Sequence, residues 1–583
     1  MQKKVNLKIN GINVTVPEGT TILEAAKSVG IKIPTLCYLK DINKIGACRV
    51  CVVEVKGARN LAASCVYSVS EGMEVYTNTP KVLDSRKKTV ELLLSNHNQD
   101  CLNCVRSGNC ELKNLAYELG CDSNFYEGDK TESKIDDSSA SIVRDNSKCI
   151  LCRRCVAACE KYQSVSVIGA NARGFDTHIA CAFEQPLGDV SCVNCGQCIN
   201  VCPTGALKEK DEIENVLAAL NDPDKYVVVG TAPSVRVAIG EEFGYPIGKN
   251  VEGKMVAALK RLGFKNVFDV DFAADLTIME EGFEFIDRLK NGGKLPMMTS
   301  CSPAWIKFIE HNYPQLLGNL STAKSPQQIF GASCKTYFAD KIGVKPKNMY
   351  VVSVMPCTAK KYEKDRKNQS AAGAGIKDID AVLTTRELAR LIKRCGIMFN
   401  ELKDEQFDAP LGIGSGAGLI FGATGGVMEA ALRTVASVLS GKDVEKVDFK
   451  EVRGNKSVKE ATYDVAGNKV KVAVVSSLSA ARDMMEKVAA GKVDYHFIEI
   501  MSCPGGCVNG GGQPIVDANT RNSVDYKKLR AAAIYNADKK MKLRMSHQNP
   551  SIKEIYSSYF GEPNSHKAHE CLHTKYVKRT KFN

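Results

Sequence analysis

Two short runs, CILCRRCVAAC and SCVNCGQCINVCPTGA, constrain this chain more than any other part of it. Each repeats the spacing C-x2-C-x2-C-x3-C. The first supplies Cys149, Cys152, Cys155 and Cys159; the second supplies Cys192, Cys195, Cys198 and Cys202, followed by Pro203. Cysteines in this register hold two [4Fe–4S] cubanes, and the fourth cysteine of each run crosses to the other cluster. Cys149, Cys152, Cys155 and Cys202 are therefore expected around one cubane, and Cys192, Cys195, Cys198 and Cys159 around the second. Unrelated buried cysteines act as isolated small hydrophobes and do not fall into paired motifs.

The chain has 24 cysteines, and more of them are patterned upstream. Cys37, Cys48, Cys51 and Cys65 are spaced C-x10-C-x2-C-x13-C. Zinc sites usually show two CxxC pairs, so one lone cysteine, one pair and a distant fourth favour a [2Fe–2S] loop over zinc. The preceding stretch, VNLKINGINVTVPEGTTILEAAKSVGI, reads as a hairpin about Asn-Gly and then a helix capped by Thr20 or Thr21. HNQDCLNCVRSGNCEL offers His97, Cys101, Cys104 and Cys110. Three thiolates and one imidazole suit zinc or a [4Fe–4S] cluster with a histidine ligand. The neighbouring redox sites favour iron–sulfur, where an imidazole in place of a thiolate changes cluster charge and potential.

At 583 residues the chain is too long for one core. Its 44% hydrophobic and 25% charged residues are ordinary for a soluble protein. No apolar run reaches the roughly 18 residues that span a bilayer, and MQKKVNLKING lacks the apolar core of a signal peptide. The expectation is a cytoplasmic chain with no membrane partner, in which cysteines serve as metal ligands rather than disulfides. The net charge of +13 is scattered without a long basic block. Charge alone does not choose between nucleic acid and an acidic protein as partner.

From about residue 210 the texture changes. KYVVVGTAPSVRVAIGEEF, NVFDVDFAADLTIMEEGFEFIDRL, LPMMTSCSPAWIKFIEHNY and NMYVVSVMPCTAKKYE each run from an apolar strand through a loop into an amphipathic pattern. That repetition predicts an α/β domain with parallel sheet. Ligands in such folds sit beyond the carboxyl ends of the strands, where Pro233, Cys301 and Cys357 fall. Cys503 and Cys507 lie in IEIMSCPGGCVNGGGQP, whose glycines permit close backbone approach. GIGSGAGLIFGATGGVMEAAL lacks the Gly-Lys-Ser/Thr of a P-loop and reads as close loop-to-helix packing.

TSCSPAW, MPCTAKKYE and MSCPGGCVNGGGQP resemble the three signature motifs of [FeFe]-hydrogenases, and the order of the N-terminal clusters is similar to that of the large clostridial monomeric enzymes. The resemblance implies one [2Fe–2S] cluster, three accessory [4Fe–4S] clusters and an H-cluster. The last is a [4Fe–4S] cubane joined by a thiolate to a diiron unit bearing CO, cyanide and an azadithiolate. It implies that Cys357, Cys503 and Cys507 ligate that cubane, with Cys507 bridging. Lys360 and the Pro233–Ser234 segment would hold the cyanides, and Gln327, Met355, Phe421 and Met501 would pack around the carbonyls. A lysine supplies a point charge to a bound anion, and apolar walls exclude water.

The family pattern has two adjacent cysteines in the first motif, a proton relay and then a cubane ligand; here they are Cys301 and Ser302. Either Ser302 ligates iron through oxygen, or Cys301 shifts to become the ligand, or the cubane keeps an unusual fourth site. The expectation is that the register holds, with Cys301 as relay and Ser302 at the ligand position. Glu281, Glu284 and Arg288 share a helix face at i, i+3 and i+7. Residue type alone makes that a solvated face. The resemblance instead makes Glu281, Ser321, Glu284 and Arg288 a proton route from Cys301 to the surface.

Cys121, Cys181, Cys334, Cys395 and Cys571 have no partner at ligand spacing and read as structural. The H-x-C-x-H stretch from His569 through Cys571 to His573 is a weak metal pattern. The expected fold is multidomain, α+β and α/β. It comprises a β-grasp [2Fe–2S] domain over 1–80 and a [4Fe–4S] domain with one histidine and three cysteine ligands over 81–125. A two-[4Fe–4S] ferredoxin-like domain over 126–210 and a large α/β H-cluster domain with parallel sheets over 211–583 complete it.

The implied activity is ferredoxin-linked, reversible reduction of protons to H2. The partners would be ferredoxin, as an acidic electron carrier, and the maturation proteins that install the diiron unit; no nucleic acid is expected among them. The rivals are a hydrogen-sensing or slow variant, a non-catalytic electron-transfer subunit and a subunit of an NAD(P)-linked complex. The second rival rests on the first 205 or so residues, which resemble the complex I iron–sulfur subunit. The third would need its nicotinamide site on a partner, since this chain shows no such fingerprint.

Overall fold

The computed structural model describes residues 3–443, 447–465 and 467–580; the first two residues of the basic N-terminal stretch lie outside them. The hairpin predicted about Asn-Gly forms from the strands Lys4–Ile9 and Ile12–Pro17, with Ile9 opposite Ile12. Asn10 and Gly11 both take positive φ, 49° and 82°, as a two-residue primed turn requires. Alternation turns Val5, Leu7 and Ile9 inward, against Ile22, Ala25 and Ala26 of the helix Ile22–Ser28. Thr21 caps that helix by accepting from the Glu24 N–H. Glu74–Tyr76 pairs parallel to the first strand, and Val52–Val55 and Ala62–Ala63 complete a five-stranded mixed sheet.

The helices Pro80–Ser95 and Glu111–Glu118 follow. Next comes a small sheet of Ile135–Asp136, Ile142–Asp145 and Leu207–Glu209, with the hairpin Gly169–Asn171/His178–Ala180 beside it.

Beyond residue 210 the apolar runs become two four-stranded sheets. In one, Asn266–Asp269, Tyr226–Thr231, Met349–Met355 and Ala381–Thr384 are all parallel. In the other, Met297–Met298, Phe497–Met501 and Asn468–Ser476 are parallel, and Val458–Val465 closes the edge antiparallel. The 22-residue helix Val270–Asn291 lies between their cores. Phe272, Ala273 and Leu276 join the first core, while Ala274, Ile278 and Phe285 join the second. A helix that packs on both sides is buried nearly all round, so Asp275, Glu280 and Glu281 are sealed inside with it. Among the described residues no helix is long and apolar enough to cross a membrane.

The Gly-rich stretch packs as expected: a Cβ on Gly418 would come within 2.3 Å of the Asp271 carbonyl oxygen on the long helix. Of the five cysteines read as structural, Cys181, Cys334 and Cys571 are buried and Cys121 is half-buried. Cys395 departs from expectation. It caps the C-terminus of the helix Thr385–Arg394 and is exposed, because that cap lies on the surface side of an amphipathic helix.

Candidate catalytic and cluster-binding site

Four strands deliver their following loops to one cavity. Tyr226–Thr231 leads to Pro233 and Ser234, Met297–Met298 to Cys301 and Ser302, Met349–Met355 to Cys357 and Lys360, and Phe497–Met501 to Ser502, Cys503 and Cys507. Gln327, Met355, Phe421 and Met501 complete the lining. The cavity encloses about 820 Å³ of empty space, its mouth included. Pro233, Ser234, Gln327, Met355, Cys357, Lys360, Phe421, Met501, Cys503 and Cys507 are thus brought together from segments far apart in the chain.

The donor set is that of a thiolate-bound metal assembly. None of the cysteines is in a disulfide. Burial, then the nearby Cys357, pushes the Cys507 thiol up to about 12. Burial likewise raises Cys357, which Lys360 and its backbone N–H pull back down. Burial penalises the thiolate and so keeps these thiols neutral, until a bound metal stabilises the thiolate and displaces the proton. Among the described residues no three His, Cys, Asp or Glu side chains converge on a single metal ion. Cys357, Cys503 and Cys507 lining one cavity are the donor type that iron–sulfur clusters take.

Ser302 lines the cavity, and its hydroxyl is 2.6 Å from that of Ser502. Cys301 lines the same cavity. Burial raises its thiol well above the ordinary value, Glu281 and Cys507 raise it further, and Lys360 lowers it. Lys360 Nζ donates to Ser325 Oγ (2.8 Å), Glu363 Oε2 (2.8 Å) and the Cys301 carbonyl (3.1 Å). Glu363 also accepts from Gln327 Nε2 at 3.1 Å, which fixes the amide beside the lysine.

The accessory cysteines group as follows. One cavity is lined by Cys149, Cys152, Cys155 and Cys202, and a second by Cys159, Cys192, Cys195 and Cys198, each with under 500 Å³ of empty space. The crossing of the fourth cysteine is therefore present in the geometry. The thiols of Cys37, Cys48, Cys51 and Cys65 lie close enough to perturb one another: Cys48 and then Cys65 lower the Cys37 thiol, and Cys65 lowers that of Cys51. Cys104 N–H donates to the Cys101 carbonyl at 3.3 Å, and burial, with a smaller push from the nearby Cys104, raises the Cys110 thiol. Burial pushes His97 down to about 4, and its Nδ1 has no partner, the state of a neutral imidazole free to bind metal.

Glu281, Glu284 and Arg288, the residues expected to form a proton route, lie along the long helix. Burial, then the charge of Glu284, pushes Glu281 up to about 8, and its Oε1 is without a hydrogen-bond partner. Ser321 Oγ donates to Glu284 Oε2 at 2.9 Å, and Arg288 Nη2 donates to Glu284 Oε1 at 2.6 Å. Arg288 also donates to the Leu320 carbonyl at 2.7 Å. Glu284 and Arg288 are only partly exposed, so the solvated-face reading fails at its inner end and thins at its outer one.

Sequence reasoning passed over Ser502, Ser325, Glu363, Gln197 and Gln513. Gln513 Nε2 donates to the Ser234 carbonyl at 2.9 Å and so ties the Pro233–Ser234 segment to the Cys507 loop. Gln197 Nε2 lies 3.1 Å from Cys503 Sγ, reaching across from the loop that carries Cys195 and Cys198. A Cβ on Gly511 would come within 2.2 Å of the Cys195 carbonyl oxygen. The run of glycines in GGGQP brings the two cysteine-bearing backbones into contact.

Comparison with known proteins agrees along the whole chain. Residues 225–511 match the C-terminal domain of the iron only hydrogenase large subunit, and 524–579 match the iron hydrogenase small subunit, a division not drawn from the sequence. Residues 2–80 match a 2Fe-2S iron-sulfur cluster binding domain, 86–124 the NADH-ubiquinone oxidoreductase-G iron-sulfur binding region, and 121–206 a 4Fe-4S dicluster domain. The NADP-reducing hydrogenase subunit HndD of Solidesulfovibrio fructosivorans is 50% identical over 99% of this chain and all of its own. Iron hydrogenase 1 of Clostridium pasteurianum is 44% identical, covering 98% of this chain and 99% of its own. A solved HydA(deltaEFG) structure, concerned with stepwise [FeFe]-hydrogenase H-cluster assembly, superposes with a TM-score of 0.56. It is 42% identical, over 63% of this chain and 99% of its own. Thiol-lined cavity, cluster-binding front and near full-length likeness converge: the chain belongs to the iron-only, or [FeFe], hydrogenase family.

Proposed function

We propose that this protein interconverts protons and electrons with H2, taking electrons through its N-terminal cluster sites and protons along the Glu281–Glu284 line. The observation that carries the reading is the gathering of Cys357, Cys503 and Cys507 on one apolar-walled cavity that Cys301 and Lys360 also line. In this reading Cys357, Cys503 and Cys507 would hold the cubane of the H-cluster, Cys507 would also hold the diiron unit, and Ser302 would stand at the fourth position. Bound there, the H-cluster would supply redox-active iron for the interconversion of protons and H2.

The chain's own residues do the rest. Met355, Met501 and Phe421 exclude water, and Lys360, held by Ser325 and Glu363, presents positive charge to bound anions. Glu281 keeps its proton at neutral pH and lies close enough to Cys301 to influence its thiol, the placement of a general acid. The accessory sites would carry one [2Fe–2S] and three [4Fe–4S] clusters, and the diiron unit would depend on maturation proteins.

For the electron partner we propose an acidic ferredoxin, steered by the net charge of +13; its reduction rate would then fall steeply with added salt. Likeness to a subunit of an NADP-reducing hydrogenase supports a second reading, in which a partner subunit with a nicotinamide site exchanges the electrons. Matured protein should evolve H2 and show infrared bands in the CO and cyanide stretching region. Iron confined to ferredoxin-type centres in such material would overturn the proposal.

A further inference from the structure

Glu284 is a junction. Its Oε1 is held by Arg288, while its Oε2 accepts from Ser321 Oγ (2.9 Å), the Thr322 N–H (3.0 Å) and Thr322 Oγ1 (3.3 Å). Ser321 faces inward, towards Glu281. Thr322 leads elsewhere: its Oγ1 is 2.7 Å from His573 Nδ1, and His573 Nε2 is 2.9 Å from Glu280 Oε2. His573 follows the C-terminal helix His566–Leu572, in the H-x-C-x-H stretch that no metal role absorbs. It is buried, and the exposed His569 ring lies against it, tilted by 35°, with centroids 4.0 Å apart.

The groups around His573 are therefore few. Glu280 and, through Thr322, Glu284 face it from the long helix, and His569 faces it from its own helix. Tyr556 bears on it through the hydroxyl that Tyr556 gives to Glu280.

Thr322 has one hydroxyl proton and two acceptors for it. When His573 is neutral, with its Nε2–H given to Glu280, Nδ1 is an acceptor and the 2.7 Å contact takes the threonine proton. When His573 gains a proton, Nδ1–H donates to Thr322 Oγ1, and the threonine proton turns to Glu284 Oε2. Both the added charge and the added hydrogen bond then favour the Glu284 carboxylate over its acid form. We infer that Thr322 and His573 are positioning residues that set the proton affinity of Glu284 from outside the relay. This rests on the reading of Glu284 as part of the proton route.

The test uses the matured holoenzyme with a low-potential artificial donor and follows H2 evolution against pH. Thr322→Val keeps the side-chain shape and removes the hydroxyl; His573→Gln keeps hydrogen bonds and never becomes charged. Each should move the midpoint at which the rate rises on acidification to higher pH, by about one pH unit, because Glu284 is no longer held as a carboxylate. Iron content checks that each variant is intact. Midpoints coinciding with the parent's would overturn the inference. So would a loss of rate that is uniform across pH with the midpoint unmoved, the mark of a purely structural role. Glu284→Gln separates the two readings. If it is inactive while the other two leave the midpoint in place, only this inference falls; if it turns over like the parent, the proton route and this inference fall together.

Discussion

Replacing Glu281 by glutamine probes the proton line at its most buried point. The carboxyl is 1% exposed, and burial with the charge of Glu284 lifts it from the usual 4.5 to about 8, against weaker pulls from Ser321 and the Ser300 backbone. The sign of the linkage follows. Below pH 4.5 folded and unfolded chains are both protonated, and above about 8 both are ionised. Between those limits the folded chain keeps a proton that the unfolded chain has lost, so stability falls as pH rises. The slope is about 1.4 kcal/mol per pH unit, or about 5 kcal/mol over the window. A glutamine in its place titrates in neither state, so the variant should lack that contribution to the slope.

It also cannot exchange a proton, and removing one general acid typically costs about 10²- to 10⁴-fold in rate. Difference infrared spectra of parent against Glu281→Gln should show a carboxylic C=O band that disappears near pH 8, and H2 evolution should drop with iron content unchanged. A band lost near pH 4.5, or turnover within a few-fold of the parent, would refute the argument.

Two further outcomes follow from particular contacts. Ser302→Cys should change both the electron paramagnetic resonance signal and the midpoint potential of the H-cluster cubane, because a thiolate replaces an oxygen donor. Identical spectra and potentials in the two proteins would place Ser302 off the iron, its hydroxyl committed to Ser502. Gly511→Ala forces a Cβ to within 2.2 Å of the Cys195 carbonyl oxygen and 2.6 Å of Gly196 Cα. Both neighbours are backbone, so the loops must part, at about 1–3 kcal/mol. Thermal unfolding should come earlier, and electron delivery from the N-terminal sites to the catalytic cavity should slow relative to a donor that acts there directly. An unchanged melting curve would show that the two loops are not in contact.

The parts of this molecule legible in the sequence are those whose physics is local or carried by spacing. The Asn-Gly hairpin, the Thr21 cap and the two cysteine runs depend on neighbours within a few residues, and the crossing of Cys159 and Cys202 follows from the register of those runs. The burial of Glu281 had no such signal. Charges at i, i+3 and i+7 describe a solvated face on any single helix, and only the second sheet, packed on the far side of Val270–Asn291, makes it an interior one. The Cys395 surface position and the Ser302–Ser502 pair, 200 residues apart, are equally questions of what the fold sets beside what.

The same distinction explains why the two routes into the cavity differ in how far they could be read. A cysteine ligand announces itself because iron fixes the spacing of its partners, whereas a proton carrier needs only a titratable group within hydrogen-bond reach. That reach can be supplied from anywhere in the chain. Thr322 and His573 meet across 251 residues, and Glu280 and His573 across 293, with no periodicity linking them. What singles them out is chemical. A buried imidazole stands between a carboxylate on one nitrogen and a hydroxyl on the other, and in the proposed reading that contact ties the segment after the last helix to a site built around residue 281. In the proposed reading His573 acts with the proton route, and its substitution should read out in pH dependence before it reads out in stability.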